Sequence, residues 1–174
     1  ACRISTVHRP SAGSELEQAN VPAILNVWFG GSEAAYAIGD VLFGRVNPSG
    51  KLTMSFPQNV GQIPLYYAHK NTGRPLHDGK WFEKFRSNYL DVTNEPLYPF
   101  GFGLSYTTFA YSDISLSQTS MNMQGVLTAS VNVTNTGAFP GGEVVQLYIR
   151  DLVGSTTRPV KELKGFERIY LQPG

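Results

Sequence analysis

The chain has 174 residues and a mass of 19.1 kDa, with 41% hydrophobic, 12% aromatic and 16% charged side chains. That size suits one compact domain or pieces of two, and the aromatic content argues against disorder as the dominant state. Fourteen basic residues face thirteen acidic ones, a formal charge of +1, so a surface-wide phosphate-binding field and a nucleic-acid partner are not expected. No apolar run approaches the ~18 residues that a membrane-spanning helix needs. Nor does a basic start lead into an apolar stretch, so no signal peptide is visible. The lone Cys2 excludes an intrachain disulfide and a thiolate zinc cluster.

In chain order, Val21 to Trp28 is a short apolar run bounded by polar and glycine residues, which predicts a buried strand. Gly30-Gly31-Ser32 follows, with Ser32 placed to cap a helix and Glu33 in its first turn. Ala34, Ala35, Ile38, Val41 and Leu42 recur at helical spacing, and Gly44 is set to end that helix. Asn47-Pro48-Ser49-Gly50 is a turn, and Lys51 to Phe56 alternates as a strand. This strand–helix–strand order reads as the edge of an α/β layer.

The middle stretch carries Pro57, Pro64, Pro75, Pro96 and Pro99 and has little periodicity. Its many aromatics, Tyr66, Tyr67, Trp81, Tyr98 and Phe100 among them, predict a long loop that docks on a neighbour. Beyond it the chain reads as all-β. Tyr111 to Leu116 is a candidate strand. Leu127, Ala129, Val131 and Val133 alternate with polar residues, predicting one strand with a buried face. Val145, Leu147 and Ile149 share a side of a strand from Glu143 to Ile149, and Phe166 to Leu171 forms another. Four or five such strands fall short of the seven or so of a full immunoglobulin-like sandwich, so the sandwich is expected to be partial, cut short at Gly174.

Candidate chemistry is sparse. Glu33 could be a catalytic carboxylate, but an acid in a first helical turn has a sufficient electrostatic reason to be there. Gly30-Gly31 could cradle a phosphate, yet no GxGxxG or P-loop pattern accompanies it. His8, His69 and His77 lack metal-ligand spacing, so no metal is expected. There is no GxSxG elbow, and Cys2 is a poor nucleophile candidate. Glycoside hydrolysis needs two facing carboxylates, and no spacing among the acids marks a pair. His69 to Pro75 gathers hydrogen-bond donors near aromatics. Lys70, Asn71, Arg74 and Trp81 are therefore candidate sugar contacts, although a surface turn is the plainer explanation. Asn132-Val133-Thr134 matches a glycosylation sequon but lies within a predicted strand.

Several long motifs in order make the chain similar to a known family. Trp28-Phe29-Gly30-Gly31-Ser32-Glu33, Ala37 to Gly44, Asn47 to Leu52, Gly61-Gln62-Ile63-Pro64 with Tyr66-Tyr67, and Leu97 to Phe109 resemble the C-terminal part of glycoside hydrolase family 3 enzymes. Val133 to Gly137, Gly142 to Tyr148, Arg158 to Lys161 and Leu163 to Phe166 resemble that family's fibronectin type III-like module. His69–Pro75 with Phe85–Asp91 looks most like periplasmic bacterial β-glucosidases, which implies a periplasmic or secreted protein. The resemblance departs in three places. Residues 1–7 do not read as the apolar strand expected there, His8-Arg9-Pro10 stands where Gly-Arg-Pro is usual, and Ala34-Ala35 replaces a glycine pair.

The resemblance implies the C-terminal portion of an α/β sandwich over residues 1–60, an aromatic and proline-rich linking loop over 61–105, and a truncated fibronectin type III-like β-sandwich over 106–174. It implies a parent with a (β/α)8-type barrel, in which an Asp nucleophile and a Glu acid/base act by the retaining route. Both of those motifs lie upstream of the matched stretch, so no catalytic residue is carried over. The expected partners are the remainder of the same enzyme, an oligosaccharide substrate and a second copy of the chain, with no cofactor. The isolated chain is expected to be inactive and to associate through uncovered edges. A non-catalytic carbohydrate-binding or interaction module is the alternative.

Overall fold

The structure, a computed structural model, describes residues 18–76 and 82–174. Among the described residues it has a nine-residue helix, α1 (Ala34–Leu42), a short 3-10 turn at Val60–Gln62, helical backbone at 18–20, and six strands. The strands are β1 (Phe109–Tyr111), β2 (Ser115–Leu116), β3 (Ala129–Ser130), β4 (Val133–Asn135), β5 (Gly141–Ile149) and β6 (Glu162–Leu171). They pair as three antiparallel two-stranded ladders, β1 with β4, β2 with β3, and β5 with β6.

The predicted strand over 21–28 forms no ladder among the described residues. An apolar run satisfies the side-chain pattern of a strand, but a ladder also needs a neighbour whose N–H and C=O groups line up with it. Trp28 ends the run by taking φ 47°, in the left-handed region.

Helix α1 lies where its stripe placed it, but its start differs from expectation. Glu33, not Ser32, occupies the cap position and makes no side-chain cap bond. The Ala34 N–H instead donates to the Gly31 carbonyl at 3.1 Å, so a backbone turn already satisfies that early donor. The far end follows the glycine rule. Gly44 takes φ 72°, its N–H donates to Val41 O at 3.1 Å, and Arg45 N–H donates to Asp40 O at 2.8 Å. These two bonds make a Schellman cap, which a residue with a Cβ would strain. No residue of α1 is buried.

Residues 51–56 make a looser element than the predicted strand. Leu52 and Phe56 exchange backbone bonds with 97–102: Leu52 N–H to Phe102 O, Gly101 N–H to Leu52 O, Phe56 N–H to Tyr98 O and Leu97 N–H to Phe56 O, all at 2.8 Å. Only Phe56 and Tyr98 form a bridge. The proline-rich partner segment cannot supply a donor at every position, so the pairing stays intermittent.

The predicted strand over 127–134 is divided in two. β3 pairs with β2 and β4 with β1, and the break falls at Val131-Asn132. There the Ser112 N–H donates to Asn132 O while Asn132 N–H donates to Ser112 Oγ, both at 2.9 Å. The side-chain bond replaces one ladder rung. The expected buried face is therefore interrupted: Leu127 and Val133 are half-buried, whereas Ala129 and Val131 are exposed. β5 and β6 form the longest ladder, with a bulge that places Leu147 opposite Gly165 and Tyr148 opposite Leu163.

Burial among the described residues is mainly polar. Phe56 is the buried apolar side chain, beside Ser55, Gln62, Thr107, Asn135 and Glu143. Each of these polar groups is paired, as most buried polar groups are. Asn135 accepts from the Thr107 hydroxyl at 2.7 Å and donates to Phe139 O at 2.8 Å and Leu171 O at 3.2 Å. Gln62, with no exposed surface, accepts from the Gln58 N–H and donates to Thr93 O at 2.9 Å and Glu95 O at 3.0 Å. Asn47, in the predicted turn, accepts from Ser105 Oγ and the Tyr106 N–H and donates to Pro140 O.

Candidate functional site

The donor-rich loop is mounted on the β5–β6 hairpin. Tyr67 stacks on Phe100 with centroids 4.1 Å apart, and Tyr148 of β5 presents itself edge-on to both rings, at 6.0 and 6.5 Å. The Leu163 N–H donates to the Tyr67 hydroxyl at 3.3 Å, and the Val160 N–H donates to His69 O at 2.9 Å. Lys70 forms an isolated bridge with Pro159. The aromatic stretch thus docks on a neighbour, and that neighbour lies in the same chain.

Lys70, Asn71 and Arg74 all lie on this loop and are exposed. Asn71 Oδ1 accepts the Gly73 N–H at 2.9 Å, which spends part of its side chain on the turn itself. Arg74 O accepts the Ser87 N–H at 2.9 Å, and its guanidinium makes no ion pair among the described residues. Trp81 and His77 lie outside the described residues.

Asn71 and Gly73 form one wall of an open concavity of about 500 Å³, whose other wall is the loop joining β5 to β6. That loop contributes Arg150, Asp151 and Arg158, with Arg158 Nε 3.9 Å from Asp151 Oδ2. The fold brings Asn71 to this concavity but leaves Lys70 and Arg74 outside its lining. Guanidinium, amide and carboxylate groups around an open polar hollow can exchange hydrogen bonds with hydroxyl-rich ligands. Sequence reasoning misses Arg150 and Asp151, because nothing local ties them to residue 71.

The acids do other work. Glu33 stands exposed at the cap position of α1, with no side-chain cap bond. Glu143, at the start of β5, is buried against Lys51 Nζ at 3.1 Å, and Lys51 also donates to Gly103 O at 2.9 Å. The Tyr111 hydroxyl donates to the other Glu143 oxygen at 2.8 Å. Half of Tyr111 is exposed, and its hydroxyl bond to Glu143 is partly buried. Burial first, then the hydrogen bond and charge of Glu143, hold its phenol protonated well above the usual range. Tyr98 and Tyr148 are also pushed up, both chiefly by burial, with Tyr67 adding to the effect on Tyr148. With both oxygens engaged, Glu143 ties segments together rather than facing a cleft. Among the described residues no three His, Cys, Asp or Glu side chains gather to hold a metal ion.

The sequence profile of the glycosyl hydrolase family 3 C-terminal domain matches residues 4–106. The chain belongs to glycosyl hydrolase family 3. A fibronectin type III-like profile matches residues 143–174, so this family 3 chain joins the C-terminal part of the α/β sandwich to a fibronectin-like module. It is 57% identical over 158 residues to the periplasmic beta-glucosidase of Salmonella typhimurium, covering 91% of this chain and 20% of that protein. A beta-xylosidase of Formosa agariphila is 52% identical over 155 residues, covering 89% and 20%. The beta-glucosidase of Listeria innocua in complex with isofagomine superposes with a TM-score of 0.88 and 46% identity, over 95% of this chain and 23% of that one. The chain spans about a fifth of the length of the curated relatives it matches. Among the described residues no helix is long and apolar enough to cross a membrane.

Proposed function

We propose that the chain is part of a retaining β-glucosidase that releases terminal β-D-glucosyl residues from oligosaccharides. The observation that carries this is the likeness to the Listeria innocua beta-glucosidase over 95% of the chain. In such a mechanism one carboxylate attacks the anomeric carbon while a second protonates the departing oxygen; water then resolves the glycosyl-enzyme. The engagement of both Glu143 oxygens supports placing the reacting carboxylates elsewhere in the polypeptide. Lys70, Asn71, Arg74 and Trp81 would then contact sugar hydroxyls at the border of the site, with the remainder of the enzyme as the main partner.

The similarity to a periplasmic protein supports a periplasmic or secreted location. Residues 1–60, 61–105 and 106–174 would act as sandwich portion, linking loop and fibronectin-like module. A homodimer is an additional expectation that sedimentation of the whole enzyme tests.

The decisive experiment compares the isolated chain with the longest natural polypeptide that carries this sequence, on a chromogenic β-glucoside. Turnover is expected from the long polypeptide alone. Sustained turnover by the isolated chain, abolished by Glu33→Gln, would overturn the placement of the catalytic pair. The beta-xylosidase likeness favours a second reading of sugar preference, and an aryl β-xyloside cleaved faster than the glucoside would establish it. Saturable sugar binding with no turnover by the long polypeptide would instead favour a non-catalytic binding module.

A further inference from the structure

We propose that the fibronectin-like hairpin β5–β6 is the mount of the sugar-facing loop, and that Tyr148 is its principal positioning residue. This rests on the reading of the chain as part of a β-glucosidase. Residues 67–70 hang from the hairpin at two points, at Tyr67 and at the 69–70 bridge. Tyr67 is held by ring contact with Tyr148 and by the Leu163 N–H on its hydroxyl, 3.3 Å away. His69 O receives the Val160 N–H at 2.9 Å, and Lys70 bridges Pro159. The next residues are Asn71 to Arg74, which are exposed.

Tyr148 is itself fixed on the β5 side. Its hydroxyl donates to Gln146 Oε1 at 2.6 Å, and Gln146 Nε2 donates to Gly101 O at 3.1 Å. Gly101 adjoins Phe100, the ring on which Tyr67 stacks. The Lys161 ammonium lies 5.8 Å from the Tyr148 ring centre, on the strand-side approach to β6. One side chain therefore touches both rings of the stack and, through Gln146, the backbone beside one of them. A loop secured at its root keeps its polar tips within a narrow range of positions. That is what orienting a substrate requires, since small misplacements are costly in rate or affinity.

The test uses the longest natural polypeptide that carries this sequence. Hydrogen exchange is followed in 68–76 and, as a control, in β1 and β4. Tyr148→Leu is expected to speed exchange in 68–76 by about tenfold or more, since exchange there follows local opening and the Tyr148 ring holds the root of the loop closed. β1 and β4 should stay unchanged. Tyr148→Phe, which keeps the ring but loses the bond to Gln146, should fall between wild type and Tyr148→Leu, at about threefold. Should Tyr148→Leu fail to fold, Tyr67→Phe decides, because it removes only the acceptor for Leu163; about threefold faster exchange in 68–76 is expected. Unchanged exchange in 68–76, or a rise in β1 and β4 in step with it, would overturn the proposal.

A second readout is kinetic. Tyr148→Leu should raise KM for a disaccharide by about fivefold with kcat held within about twofold. An unchanged KM beside faster exchange would sever the loop from the substrate and overturn the positioning role. Absence of any glucosidase activity in the parent polypeptide would sink the functional reading, while the exchange result would still decide the mount.

Discussion

Helix α1 and strand β5 have nine residues each, yet they spend their side chains in opposite ways. Along α1 nothing is buried; Tyr36 is 74% exposed, and Phe43 just past its end 84%. Along β5 the first three residues are buried, and they include a glutamate. Glu143 meets Lys51 and Tyr111, while Gln146 and Tyr148 reach Gly101 and the Tyr67–Phe100 stack on the other side. The contrast shows that the described residues are knit together by directional polar contacts and edge-on rings. The large apolar faces remain uncovered within them. Hydrophobic area alone would have picked α1 as the organising element, whereas satisfied donors and acceptors pick β5.

The sharpest way to break this contrast is to attack Glu143. Glu143→Ala leaves the Lys51 ammonium without its countercharge, with the Gly103 carbonyl as its remaining partner, and takes away the Tyr111 hydroxyl's acceptor; it should cost about 3 kcal/mol in denaturant unfolding. Lys51→Met combined with Glu143→Leu should recover most of that loss, because the cost lies in the orphaned charge. If the double variant is as unstable as the single, the ion pair is not what holds β5 in place. Gly101→Ala comes next. Gly101 sits at φ 81°, and an added Cβ would run into the Gln146 and Tyr148 side chains. A fall of about 2 kcal/mol, seen as an earlier unfolding midpoint, is expected.

Tyr111→Phe should cost about 1 kcal/mol at neutral pH. It should also flatten the alkaline limb of the stability curve. The native phenol ionises above its ordinary range, so the unfolded chain alone gains by losing that proton once pH passes ~10. Stability present below that pH is lost above it, and the phenylalanine variant lacks this part of the loss. At the other end of the contrast, Tyr36→Ser on α1 should change unfolding free energy by less than about 0.5 kcal/mol. Its effect should appear in sedimentation of the isolated chain, as a shift from associated species toward monomer.

What could be read from the sequence was mostly local. The stripe from Ala34 to Leu42 and the stop at Gly44 both depend on residues within a few positions of one another, and both lie where expected. The 21–28 run and the division of 127–134 depend on which backbone lies alongside, and side-chain periodicity does not encode that. Alternation in β5 marked Val145, Leu147 and Ile149 as sharing a side, but Leu147 and Ile149 are exposed, while Gln146 and Tyr148 make the contacts. The turn at Asn71 to Gly73 was visible as turn chemistry. Its opposition to Arg150, Asp151 and Arg158 comes from the fold, which brings together loops far apart along the chain. The family motifs carry the imprint of such contacts without explaining them.

The amide of Gln62 receives one bond through its oxygen and gives two through its nitrogen, in complete seclusion from solvent. Its polarity therefore has a direction that shape does not reveal. Exchanging that single nitrogen for oxygen, as hydrolysis to glutamate does, preserves volume and outline yet turns a lone pair toward two carbonyls. The best-shielded position among the described residues is for that reason also the one where an isosteric lesion, invisible to any packing criterion, would pry two loops apart.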